Sequence, residues 1–96
     1  MSAYFVVQAT VKDPEKLAAY SQEALPLISA HQGELFLRAP VLEIMGGESD
    51  FERVIILEFP DADVARNWYN CEEYQALIPL REEGANMLFT LVEAPD

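Results

Sequence analysis

Residues 4–11 are apolar on both sides of a two-residue alternation. Phe5, Val7, Ala9 and Val11 fall on one face, and Tyr4 and Val6 on the other with Gln8 and Thr10. β-Branched and aromatic residues in that pattern predict a strand. Asp13-Pro14-Glu15 then reads as a helix start: an acidic cap, a proline suited to the first turn and a carboxylate at the positive end of the dipole. Leu17, Tyr20, Ala24, Leu27 and Ile28 recur at helical spacing as its buried stripe. Pro26 lies inside the stripe and is expected to kink or split the helix near Leu25, and Gly33 to end it.

Residues 34–45 read as a strand interrupted by Pro40. Proline donates nothing to a ladder, so this strand belongs at a sheet edge or carries a bulge. Gly46-Gly47 marks a turn. Residues 53–59 form the strongest strand signal in the chain. Asp61 caps a second helix with Val64, Ala65 and Trp68 inward. Asn70-Cys71 breaks it, with Cys71 in a capping position. A further helix from Glu72 carries Tyr74, Leu77, Ile78 and Arg81, is disturbed by Pro79 and ends at Gly84. Residues 87–93 are the last strand.

The order is β-α-β-β-α-β with an accessory helix and no internal linker, a single domain over residues 1–96. It suits an α+β, ferredoxin-like sandwich: a four-stranded antiparallel sheet with helices on one face. The two strands that are apolar on both faces, residues 4–11 and 53–59, are expected at its centre. Helices cover one face only, which leaves bare either Val6, Val54 and Ile56 or Phe5, Val7, Ile55 and Leu57. An apolar patch of that size predicts a homodimer packed sheet against sheet.

Composition narrows the function classes. Six basic residues stand against seventeen acidic ones, a net charge of −11. Nucleic acid and anionic membranes both require clustered Lys/Arg, so neither is an expected partner. No apolar run reaches the ~18 residues of a membrane span, and the N-terminus has no basic stretch of a secretory signal. One cysteine, Cys71, allows neither an intramolecular disulfide framework nor a cysteine-built zinc site, and a reducing cytoplasm is the expected compartment. A single histidine provides no pair of imidazoles for a transition metal. There is no Gly-rich phosphate loop, G-x-S-x-G or H-E-x-x-H, so no cofactor is indicated.

The candidate chemistry lies in a few polar residues on apolar elements. Strict alternation puts Arg38 on one face with Phe36, and Arg53 with Ile55, Leu57 and Phe59. Each either pairs with a carboxylate such as Glu43 or Glu58, or clamps a carboxylate or enolate oxygen of a ligand. Glu58 shares the Val54/Ile56 face; an unpaired carboxylate among apolar side chains is how a general base is made. His31 falls at the end of the first helix, where the dipole favours a cation; acid–base work is its other reading. Trp68, Tyr69 and Tyr74 are core or pocket aromatics, and the hydroxyls of Tyr4 and Tyr20 are within reach of a pocket.

Several runs together resemble the domain of unknown function 1330 family, small bacterial proteins of about this length. They are residues 4–7, Asp13-Pro14 with Tyr20, Gly33 through Ala39, Glu43 with Gly46, residues 52–60, and Ala65 with Trp68-Tyr69, Glu73 to Leu77 and Arg81. The resemblance runs nearly end to end. It implies a ferredoxin-like subunit of a dimeric α+β barrel, with a pocket between sheet and helices. The wider superfamily includes cofactor-free monooxygenases, muconolactone isomerase-like enzymes and proteins linked to ether degradation. Positions matching the motif are Arg38, Glu43, Arg53, Glu58, Trp68, Tyr69 and Tyr74. The chain departs from the family at His31-Gln32-Gly33, where Tyr-Gly-Gly is common, and at Phe51 and Cys71-Glu72.

The expectation is a homodimer binding a small organic molecule. If it is an enzyme, His31 or Glu43 is the base for proton transfer or oxygenase-type chemistry. Arg38 or Arg53 then stabilises the developing oxyanion, and Tyr4, Glu58, Trp68, Tyr69 and Tyr74 contact substrate. The alternatives are a non-catalytic binding module and a structural interaction protein whose pocket its own side chains fill.

Overall fold

A computed structural model describes residues 1–95. Four strands, β1 (Ala3–Val11), β2 (Glu34–Pro40), β3 (Arg53–Phe59) and β4 (Ala85–Glu93), form one antiparallel sheet in the order β2-β3-β1-β4. Helix α1 (Pro14–Ala30) joins β1 to β2. Helix α2 (Ala62–Asn70) and two short helices, α3 (Glu72–Gln75) and α4 (Ile78–Gly84), join β3 to β4. This is the expected ferredoxin-like α+β arrangement. The two-faced strands β1 and β3 are central, and the proline-bearing β2 is an edge.

Local chemistry sets the element ends. The Asp13 carboxylate accepts from the backbone N–H of Glu15 and Lys16 at 3.1 and 3.3 Å, and Asp61 from that of Val64 at 2.8 Å. The Cys71 sulfur accepts from Tyr74 N–H at the start of α3. Pro26 does not split α1, which continues to Ala30. The carbonyl it leaves without a donor is that of Gln22; both residues are exposed, so water can satisfy it. The end of α1 differs too. The Gln32 N–H donates to Ser29 O and the Gly33 N–H to Ile28 O, and the left-handed residue is Gln32, at φ 66°. Gly33 is there for space: a Cβ would lie 2.5 Å from the Phe59 ring and 2.8 Å from Ile28.

The core lies between sheet and helices. Phe5, Val7, Leu57 and Phe59 meet Tyr20, Ala24 and Ile28 of α1 and Ala65, Trp68 and Tyr74 of the second crossover. So Phe5, Val7, Ile55 and Leu57 are the covered set, and Val6, Val54 and Ile56 belong to the open face. β2 ends at Pro40, short of the expected residue 45. The following loop is held at its base, where Val41 N–H donates to Glu52 O and Glu52 N–H to Ala9 O. Among the described residues, no helix is long and apolar enough to cross a membrane.

Candidate functional site

An apolar cavity of about 90 Å³ opens between α1 and the sheet. Its walls are Val7, Leu17, Ile28, Ile55, Leu57 and Phe89, among others. The cavity follows from the edge of the sheet. The inner face of β2 presents Leu35, Arg38 and Pro40, and no helix packs tightly there; Leu35 stays 40% exposed.

Arg38 reaches this site through an irregularity. Leu35 pairs with Leu57, but Leu37 pairs with Ile56 and Arg38 with Ile55, so one residue is extra on β2. That bulge moves Arg38 to the helix side and leaves Phe36 on the other, where its ring meets Tyr4 at 6.0 Å. The strict alternation that grouped Arg38 with Phe36 is thereby corrected. Arg53 falls with Ile55 and Leu57 as expected. Both guanidiniums are exposed, and both line the cavity where it meets solvent. Among the described residues neither has a carboxylate within ion-pair distance. The pairings with Glu43 or Glu58 are not formed.

The inner end holds polar groups of another kind. Tyr20 and Trp68 line the cavity. Behind them the Tyr20 and Tyr74 hydroxyls are 2.6 Å apart, and Arg81 Nη1–H donates to Tyr74 Oη at 3.0 Å and to Tyr69 Oη at 3.1 Å. Arg81 is only 6% exposed. Its nearest acid is the exposed Glu82, 3.6 Å away, and its guanidinium lies 4.7 Å from the centre of the Phe89 ring. Burial pulls Arg81 toward losing its proton, but the hydrogen bonds to Tyr69 and Tyr74 outweigh this and hold it above its ordinary value. Burial is also the main reason that Tyr20 stays protonated well above the usual phenol range and that Tyr74 is raised from its ordinary value. The Trp68 indole N–H is buried without an acceptor among the described residues.

The expected site residues therefore divide. Arg38, Arg53 and Trp68 come together at the cavity, with Tyr74 and Tyr69 one shell behind. His31 and Glu43 do not join them. The His31 ring Nδ1–H donates to the Leu27 carbonyl at 2.9 Å, closing the last turn of α1, and Glu43 is exposed in the β2–β3 loop. Tyr4 and Glu58 lie on the open sheet face, where Tyr4 O–H donates to Glu58 Oε2 at 3.0 Å. Tyr20, already read as within reach of a pocket, lies on its wall, and Arg81 gains a place behind it. The signal for Arg81 was available, since an arginine in step with Tyr74 on an apolar helical stripe must find partners inside.

The polar liners are Arg38, Arg53, Tyr20, Trp68 and Ser21. Each offers a hydrogen-bond donor, and no carboxylate or imidazole is among them. Such a lining suits an acceptor-rich or anionic ligand with an apolar body.

Comparison with solved structures bears on the fold. RPA0582, a protein of unknown function from Rhodopseudomonas palustris, superposes with a TM-score of 0.82 at 13% identity, spanning 99% of this chain and 83% of that one. SnoaB, a cofactor-independent oxygenase from Streptomyces nogalater, gives 0.71 at 16% identity over 99% and 94%. A dimeric protein of unknown function with a ferredoxin-like fold from Bacteroides fragilis gives 0.54 at 14% identity over 97% and 96%. At these identities the likeness shows the ferredoxin-like fold alone. No curated protein matches the sequence. The family described as Domain of unknown function (DUF1330) matches residues 2–95, and the chain belongs to that family.

Proposed function

We propose that this protein is a homodimer whose subunits each bind a small organic acid. The carboxylate lies against Arg38 and Arg53 and the apolar body points into the cavity. The observation that carries the reading is the pair of arginines, without carboxylate partners among the described residues, at the opening of an apolar cavity. Two guanidiniums at one cavity repel, and a bound anion relieves that while bidentate hydrogen bonds fix its orientation. The size also selects. A cavity of ~150 Å³ holds benzene, so about 90 Å³ suits a short aliphatic chain better than a ring.

The open sheet face supports the dimer. Val6, Val54 and Ile56 are half-buried there, Leu37 and Leu88 are 45% and 47% exposed, and Phe36 is 63% exposed. A second copy of the same face covers such a patch in one isologous contact. The Bacteroides fragilis neighbour is described as dimeric. That SnoaB is an oxygenase without a cofactor fits a cavity of this kind turning over its ligand, with Arg38 or Arg53 steadying an oxyanion.

The test is native mass spectrometry with calorimetric titration of pentanoate. The expected result is a dimer that binds pentanoate saturably, and an affinity at least tenfold weaker in Arg38→Ala/Arg53→Ala. A monomer refutes the dimer. Absence of saturable binding, or binding indifferent to both arginines, refutes the ligand reading.

A further inference from the structure

Tyr74 accepts a hydrogen bond from Arg81, a group that can only donate. Its own hydroxyl proton needs an acceptor, and the acceptor in reach is the Tyr20 oxygen at 2.6 Å. Either direction leaves one hydroxyl proton without a protein acceptor: that of Tyr74, which is fully buried, at a cost comparable to a lost hydrogen bond, or that of Tyr20, which lines the cavity, where water or a ligand can accept it. The chain of donation therefore runs from Arg81 through Tyr74 to Tyr20. Tyr20 accepts, and its own proton is free. Tyr20 lines the cavity, and so does Trp68, whose buried indole N–H also lacks an acceptor among the described residues.

The geometry points to Tyr20 as a hydrogen-bond donor to an acceptor oxygen of the ligand at the inner end of the cavity, with Tyr74 and Arg81 orienting and polarising it. This rests on the binding of an organic acid at Arg38 and Arg53. It narrows the ligand to an acid carrying a second, uncharged oxygen away from its carboxylate: an oxo acid. A buried guanidinium behind two hydroxyls strengthens each donor in turn, since each hydrogen bond polarises the next. Burial keeps Tyr20 protonated, as a donor must be. Tyr20 is thus a ligand contact, whereas Tyr74 and Arg81 are positioning residues.

Two matched pairs test this by calorimetry: 4-oxopentanoate against pentanoate, and 5-oxohexanoate against hexanoate. In each pair a carbonyl replaces a methylene at constant length. The wild type is expected to prefer at least one ketone by about fivefold, the usual worth of one hydrogen bond. Tyr20→Phe should abolish the preference, so that each ketone and its parent acid bind alike whatever their common affinity. Tyr74→Phe, which keeps the Tyr20 hydroxyl, should reduce the ratio of ketone to parent-acid affinity, whereas general loosening of the core weakens both acids alike. It also serves as the second variant if Tyr20→Phe fails to fold. No ketone preference in the wild type overturns the assignment of Tyr20 and leaves the organic-acid reading standing. A preference that survives Tyr20→Phe overturns it too. A preference unchanged in Tyr74→Phe overturns the relay. If none of the four acids binds, the organic-acid reading falls and the Tyr20 assignment with it.

Discussion

Gly84 is the last residue of α4, and its replacement by alanine separates two opposing effects. Helix propensity alone favours alanine by up to ~1 kcal/mol. The tertiary contact says otherwise. A Cβ at Gly84 would lie 2.7 Å from the backbone nitrogen of Leu17, 2.8 Å from its Cα and 3.1 Å from the Lys16 carbonyl carbon. Carbon atoms pack at about 3.5–4.0 Å, so α1 and α4 must part by about 0.7 Å or more. Backbone cannot swing aside as a side chain can. The parting also strains two hydrogen bonds, because the Gly84 carbonyl accepts from the N–H of Lys12 at 2.9 Å and of Asp13 at 3.0 Å. Overpacking of this kind costs ~1–3 kcal/mol, which outweighs the propensity gain at a helix end. The expected net loss is about 1–2 kcal/mol, or a fall in melting temperature of about 4–16 °C. Urea unfolding of Gly84→Ala measures it. Gly46→Ala is the control, since nothing lies within 4 Å of its Cβ, and it should be close to neutral. A Gly84→Ala protein as stable as wild type, or more so, refutes the close approach of α1 and α4.

Two further outcomes follow from buried groups and from the proline. Tyr20 and Tyr74 hold their protons above the ordinary value of 10.0 in the folded state. Above pH 10 the unfolded chain releases protons that the native state keeps, so stability is whole below that pH and falls as pH rises. The expected slope is about 1.4–2.7 kcal/mol per pH unit for one to two such tyrosines. Chemical denaturation between pH 9 and 11.5 reads it, Tyr20→Phe should make it shallower, and a flat profile would contradict the burial of these hydroxyls. Pro26→Ala restores the hydrogen bond to Gln22 on the exposed side of α1 and should stabilise by about 1 kcal/mol; a loss on urea unfolding would show that the ring packs where the structure leaves it exposed.

The local sequence was sufficient for the element order, the caps at Asp13 and Asp61, the central place of the two-faced strands and the edge position of β2. Each rests on near neighbours: side-chain alternation, capping oxygens, or a missing proline N–H. Tertiary structure alone decided the rest. Which apolar face of β1 meets the helices depends on where the crossovers land. The bulge between Leu35 and Leu37 depends on the register against β3, and it reverses the side on which Arg38 lies. Pro26 stays within α1 because its turn faces solvent, a fact of packing that propensity cannot supply. The Tyr20–Tyr74–Arg81 chain is the clearest case. Its two hydroxyls come from positions 54 residues apart, brought together only when both crossovers pack on the same face of the sheet. Periodicity marks each of these residues as inward-facing, but a hydrogen bond between hydroxyls needs a distance, and distance across elements is set by the whole fold.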